Sequence, residues 1–426
     1  MKKNSYLFIL ILISIIIRII IYLTMEYQVS GDTSGYINLA EHISKCNFNG
    51  YNGSRTPTYP LIIAISNLNM NIVYITQLIM GIVITIISYL IMYLLTSNKK
   101  YSFYFGIIIT TYIPFLSYEN VILSEMTSMF FLLFSLFFVF KYIKSINWKW
   151  LFITSFTISL LILTRPVYLL ILLPFLLLIF LINKSSYKKV IFHIFILIIP
   201  IILIVSSWCL VNLKVNDQFT ISTMSGFSLT NRVGYLMEDA PENYKQIKDI
   251  YISERDKHIK SKGTYVNTIW HSWFEMSKKT ELSYAELSLQ VKKMCIDIIK
   301  KHPTLYIKDS INNWVKFWKP ASVSKSFPNY THLFSKYFQR VLFVIFEFIF
   351  LLVTPIYLLK NKHNLYKSNY IFVLMCLMFV LIISIGYSVL ENVGGRYSIP
   401  TDPIIIIISI FLIFNYKRKN VIKSNK

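Results

Sequence analysis

The sequence predicts an all-α polytopic membrane protein, and three observations predict it. Of 426 residues, 55% are hydrophobic and only 15% charged, with a mean hydropathy of +0.55, whereas soluble domains run nearer a quarter charged. Apolar stretches recur that are long enough to cross about 30 Å of hydrocarbon as helix. The formal charge of +23 is spread unevenly over the loops between those stretches, so it reports membrane orientation and not affinity for nucleic acid.

About ten transmembrane helices are expected, at 6–23, 70–95, 101–116, 126–140, 151–163, 167–181, 190–211, 341–359, 369–390 and 399–414. The third to sixth are short for the task. The first follows Lys2 and Lys3 and imitates a secretory signal, but no small-x-small cleavage site follows, so it is read as an uncleaved helix. Alternate loops, at 99–100, 141–149, 184–189, 360–367 and 417–426, carry basic residues and not one acid. The other short loops and helix ends hold Glu26, Asp32, Glu41, Glu119, Glu125, Glu391 and Asp402 beside Lys45, Arg55, Arg165 and Arg396. Basic short loops are retained in the cytoplasm. Both termini are therefore expected inside, in a multi-pass cell-membrane protein whose acid-bearing face is extracytoplasmic.

Three parts follow: an N-terminal transmembrane module at 1–211 with its first outer loop at 24–69, an extracytoplasmic helical domain at 212–340, and a C-terminal transmembrane module at 341–426. The middle part is too long for a structureless loop. Helices are expected over 241–262 and 281–301, the second with Thr280 as its N-cap. Beyond Pro303, the residues Ile307, Ile311, Trp314, Val315 and Trp318 recur at helical spacing beside Lys308, Lys316 and Lys319. This pattern suits either a helix in the membrane interface plane or a stripe packed on the domain's own core. Arg18 and Glu347 lie inside spans and read as structural, paired with each other or with polar groups of the bundle. Cys46, Cys209, Cys295 and Cys376 lack the spacing of a disulfide framework or zinc site, and the histidines are unclustered.

Polar residues accumulate on one face. The first outer loop reads Gly31-Asp32-Thr33-Ser34-Gly35-Tyr36 and then Arg55-Thr56-Pro57-Thr58-Tyr59-Pro60; the last outer turn reads Glu391-Asn392-Val393-Gly394-Gly395-Arg396-Tyr397. Six of the twelve glycines fall in these two loops, where backbone must bend or approach a ligand closely. Charged groups at such depth are function candidates by default. A carboxylate with several arginines suits transfer chemistry at a lipid phosphate, because the guanidinium fork matches phosphate oxygens. Phosphate is a good leaving group, so one general base for the acceptor hydroxyl suffices. Asp32 is the expected catalytic base. Arg396, with Arg55 and Arg165, is expected at the donor phosphate, and Tyr36, Tyr59, Glu119, Glu125, Glu391 and Tyr397 around the substrate. The plainer readings are an N-cap or Asx-turn for Asp32, a snorkelling interface residue for Arg396, and ion pairs of Arg55 and Arg165 with Glu119 or Glu125.

At these residues the chain resembles the GT-C superfamily of polytopic glycosyltransferases, in the bacterial branch related to protein O-mannosyltransferases and to the lipid A aminoarabinose transferase. The resemblance rests on Asp-x-x-x-Tyr at Asp32 to Tyr36, Arg-x-Pro-x-Tyr-Pro from Arg55 to Pro60, Ser124-Glu125 opening the fourth span, Arg165-Pro166 opening the sixth, and Arg-Tyr-x-x-Pro from Arg396 to Pro400. Trp208 to Asn212, Ser222 to Gly226 and His302-Pro303 with Tyr306 are also similar to the family. The order of these motifs, and their placement on one face, carries the resemblance over nearly the whole chain. It implies an inverting transfer of a sugar from a polyprenyl-phosphate-linked donor, with Asp32 as base, to an acceptor hydroxyl on a glycolipid, polymer or protein. Thr33 stands where the family often has a second acid, and the middle domain is smaller than in better-known relatives. Some relatives bind a divalent metal near the first-loop acid, so a metal near Asp32 stays open, with no further ligand cluster arguing for it. The alternatives are a polymerase or ligase of lipid-linked oligosaccharides, and a non-enzymatic transporter or flippase for such lipids; against the last, no repeated halves are visible.

Overall fold

The computed structural model describes residues 5–319, 327–364 and 367–424, with side chains described to Tyr416. Its helices are α1 (Ser5–Thr24), α2 (Thr33–Ser44), α3 (Thr58–Ile65), α4 (Met70–Thr96), α5 (Lys99–Thr110), α6 (Ile113–Glu119), α7 (Glu125–Ser145), α8 (Trp148–Ile162), α9 (Leu172–Asn183), α10 (Tyr187–Asn216), α11 (Ser225–Val233), α12 (Lys245–Lys262), α13 (Ile269–Thr280), α14 (Tyr284–Lys301), α15 (Pro303–Phe317), α16 (Asn329–Lys360), α17 (Ser368–Leu390) and α18 (Asp402–Ser424). Among the described residues the only pairing of β type is an isolated bridge between Gln28 and Val121.

Among the described residues, eight stretches are long and apolar enough to cross a membrane. They correspond to eight of the ten expected spans; the other two are altered. The stretch expected at 101–116 is broken, because Tyr112 is extended and Pro114 lies in the first turn of α6, where its missing N–H does no harm. The 12 residues of α5 then rise only about 18 Å. The stretch expected at 151–163 is the 15-residue α8, buried largely against α7 and α10. The span expected from 341 belongs to a helix that begins at Asn329 and contains π-helical turns at Ser335–Gln339 and Ile349–Val353.

Sequence explains the packing locally. In α1 the buried residues are Leu10, Ser14, Arg18 and Ile21, a single stripe at helical spacing. That stripe lies on α4 and α5, and Gly106 admits the Leu10 side chain where a Cβ would meet it. Asn69, Asn98 and Asn147 restart helices α4, α5 and α8 by accepting first-turn amides. Ser283, not Thr280, caps α14, in a reciprocal box with Glu286; Thr280 instead ends α13. Helices α11 to α14 enclose their own core around Phe227, Met276, Leu287 and Ile298. There Gly226 brings α11 onto the Ser288 carbonyl, a contact no Cβ would allow.

Two ends of the bundle differ in character. At one, Lys144 reaches the Leu94 carbonyl and Asn369 the Leu95 carbonyl. At the other, Gln28 pairs with the 120–122 turn, Thr56 bonds the Thr164 carbonyl, and Ser222 and Thr223 bond Ser54 and Asn52. The second end therefore gathers α2, α3, the α11–α14 domain and the starts of α7 and the 166–171 turn. All four cysteines are free.

Candidate active site

Asp32 occupies the N-cap position of α2 but makes no capping bond with its side chain. Thr33 does the local work: its hydroxyl accepts the Ser30 amide at 2.9 Å and donates to the Ile122 carbonyl at 2.9 Å. The Asp32 carboxylate is thereby left to tertiary partners. Its Oδ1 accepts from Arg55 Nη2 at 2.9 Å and its Oδ2 from Arg396 Nη2 at 2.8 Å. Partial burial pushes this carboxyl up, and the two guanidiniums outweigh burial and hold it down at about 2.

Each arginine is held from beneath. Tyr51 clasps the Arg55 backbone, donating to its carbonyl at 2.6 Å and accepting its amide at 2.7 Å. The Arg55 guanidinium lies over the Tyr36 ring at 4.8 Å. Gly35 makes room for it, since a Cβ there would lie 2.8 Å from Arg55 Nε. Arg396 stands in the short turn Gly395–Tyr397, over the Tyr397 ring at 5.2 Å, with Nε 3.7 Å from Glu125 Oε1. Glu125 opens α7 with a fully buried side chain, and Arg165 Nη2 lies 2.6 Å from its Oε1. Arg165 also donates to Ser124 Oγ at 3.1 Å and to the Tyr387 hydroxyl at 3.3 Å. Tyr36 shares Ser124 through a 3.2 Å hydroxyl contact.

The outcome is a line of alternating charge, Arg55, Asp32, Arg396, Glu125, Arg165, drawn from four distant parts of the chain. Along the line itself three guanidiniums face two carboxylates, and their forks match the oxygens of an anionic group. Asp32 and Arg396 keep 26% and 34% of their side-chain surface exposed, so the line is open to a ligand at this pair. Glu391, just past α17, sits beside it: burial pushes its carboxyl up, against the Ser228 hydroxyl of α11 and the charges of Arg396 and Arg165.

Most sequence-predicted residues converge here, but not all. Glu119 does not: it is fully buried and pairs with Arg18 Nη2 at 2.6 Å. Gly81 accommodates that pair, where a Cβ would meet both side chains. Arg18 is therefore not the partner of Glu347, which lies near Asp402 and Tyr112. Tyr59 is buried beneath Tyr36, with rings edge to face at 5.0 Å, and donates to Gln77 at 2.8 Å, so it supports the site without facing it. Sequence reasoning missed Tyr51, Ser228, Asn313 and Tyr387; Tyr387 sits in the last turn of an apolar span with nothing in its neighbours to mark it.

The donor set does not fit a divalent cation as arranged. Both Asp32 oxygens are taken by guanidiniums, Glu125 lies against Arg165, and the described residues contain no group of three or more metal-ligating side chains.

No protein-family model matches the chain, and no curated protein matches its sequence. Solved structures do match, among them the archaeal oligosaccharyltransferase AglB from Archaeoglobus fulgidus, determined with an inhibitory peptide and a dolichol-phosphate. The TM-score is 0.50 at 11% identity, over 99% of this chain and 51% of AglB, so the chain spans about half the length of that neighbour. At this identity the likeness shows the fold alone: a GT-C polytopic membrane fold.

Proposed function

We propose that this protein is an inverting glycosyltransferase that moves a sugar from a polyprenyl-phosphate-linked donor to an acceptor hydroxyl at the extracytoplasmic membrane face. The observation that carries the reading is Asp32 suspended between Arg55 and Arg396. The GT-C fold supports glycosyl transfer from a lipid-linked donor in general, as does the dolichol-phosphate bound by AglB.

In this reading the donor phosphate competes for Arg396, which turns from Asp32 toward the phosphate oxygens. Losing one of two guanidiniums raises the proton affinity of Asp32 just as the acceptor arrives. The acceptor hydroxyl then gives its proton to Asp32 while its oxygen forms a bond to the anomeric carbon. The bond from that carbon to the phosphate oxygen breaks, and the phosphate leaves with the electron pair, stabilised by Arg396 and by Arg165 or Arg55. Asp32 returns its proton to solvent. The acceptor belongs to the space between the bundle end and α11, where Glu391 and Ser228 meet.

The test is a detergent assay of the purified protein with a panel of polyprenyl-phosphate sugars, following release of polyprenyl phosphate. Transfer without a membrane gradient separates an enzyme from a transporter. Asp32→Asn is expected to lower turnover at least about a thousandfold. Turnover of that variant at the wild-type rate would remove Asp32 as base.

A further inference from the structure

Helix α15 carries an apolar face that the domain leaves uncovered. Ile307, Ile311 and Val315, each one turn from the next, are 59%, 58% and 53% exposed, while Asn313 and Phe317 on the other side are buried. What α15 packs against fixes its level. The Tyr306 hydroxyl donates to the Val389 carbonyl at 2.6 Å, Asn313 Nδ2 to the Ser388 and Glu391 carbonyls at 3.0 and 2.6 Å, and Trp314 Nε1 to Ser384 Oγ at 2.8 Å. Phe317 lies against the Tyr387 ring.

These contacts also give its direction. From Tyr306 to Phe317 the helix advances about 16 Å, yet its partners on α17 and the turn that follows all lie within residues 384–393. A helix running alongside α17 would have moved its partners by as many residues as it advanced itself. Helix α15 therefore crosses α17 at its end, level with the point where that apolar span stops, with Ile307, Ile311 and Val315 turned away from it. Lys308 and Lys316 are exposed on one flank of that face.

We propose that α15 lies in the membrane interface plane, with Ile307, Ile311 and Val315 seated at the acyl-chain boundary and Lys308 and Lys316 among lipid phosphates. The bilayer is the occupant because the face is level with the end of a span and is flanked by exposed lysines, as an interfacial helix requires. Asn313 ties this helix to the turn that leads to Arg396: besides its two donated bonds, its Oδ1 accepts the Val393 amide at 3.0 Å. Membrane seating of α15 thus steadies the loop that carries Arg396.

The test uses the full-length protein with Cys46→Ser in vesicles of phosphatidylcholine and phosphatidylglycerol in equal parts. Single cysteines replace Ile307, Ile311, Val315, Lys316 and, as a water-exposed control on α13, Phe274, each carrying a nitroxide. At 307, 311 and 315 oxygen is expected to relax the label severalfold more than a water-soluble nickel chelate does, with the reverse at 316 and 274. Nickel access at 311 equal to that at 274 would put the face in water and overturn the proposal. Low access to both reagents would show protein covering it, a second copy or the chain itself, and would overturn it equally.

Discussion

Asp32 owes its behaviour to two arginines, and this has a pH signature. Its carboxyl sits at about 2 in the folded protein, against about 3.9 in an unfolded chain. Folding thus favours the ionised form, and the stability this contributes, about 2.6 kcal/mol, is present above pH 4 and lost as pH falls through 2. Thermal unfolding in detergent should show Asp32→Asn less stable than wild type at pH 6, with the gap closing toward pH 2. A gap that stays constant would mean that the two ion pairs contribute little. Gly35 offers a second residue-level test. An alanine methyl there would push on the Arg55 guanidinium, the movable end of a flexible side chain, so the fold should survive while Arg55 leaves Asp32. We expect Gly35→Ala to weaken binding of a polyprenyl phosphate roughly tenfold, and Gly31→Ala, with open space around it, to leave it unchanged.

At the scale of elements, buried polar groups decide how helices are locked together. Arg18 on α1 and Glu119 on α6 form a dry pair, 2% and 0% exposed, with the Ser14 and Thr110 hydroxyls on Arg18 Nη1. Removing one partner strands a buried charge, which costs about 3 to 5 kcal/mol, whereas replacing both with apolar side chains costs far less. Glu119→Leu should therefore unfold well below wild type, and Arg18→Leu/Glu119→Leu should recover most of the loss; a double variant as weak as the sum of its parts would argue against the pair. Asn313 locks α15 to the 388–393 turn with three hydrogen bonds from a side chain 1% exposed. Asn313→Ala frees the Val393 amide, and its hydrogen exchange should accelerate about ten- to a hundredfold, at about 1.4 kcal/mol per tenfold. Unchanged protection would show that the turn holds itself.

At the scale of the molecule, the site belongs to no single segment. Asp32 and Arg55 come from the first loop, Glu125 and Arg165 from helix starts in the bundle, Arg396 from the last turn, and the α11–α15 domain closes over them through Ser228 and Asn313. A ligand that bridges these parts stabilises the whole assembly. Polyprenyl phosphate at a hundred times its dissociation constant should raise unfolding stability by about 2.7 kcal/mol, read as a higher melting temperature, and Arg396→Ala should abolish the shift. The residues of this line were legible in the sequence because they are charges in the first outer loop, at the ends of apolar stretches and in the last outer turn. Their partners were not. Glu119 reads as a site residue until the break at Tyr112 and the gap at Gly81 deliver it to Arg18, and Ser228, Tyr387 and Asn313 look like any other small polar or aromatic residue in their helices.

By itself the sequence determined the membrane class, the apolar stretches and the face on which acids and arginines collect. Those are sums over local properties: each apolar residue adds to transfer into hydrocarbon and each lysine to retention on one side, whatever its neighbours in space. Which carboxylate meets which guanidinium was decided only by the tertiary structure. Ion pairing in a low dielectric depends on ångströms and on what else is buried nearby, and a kink, two glycines and a domain folded over the bundle end set those distances here.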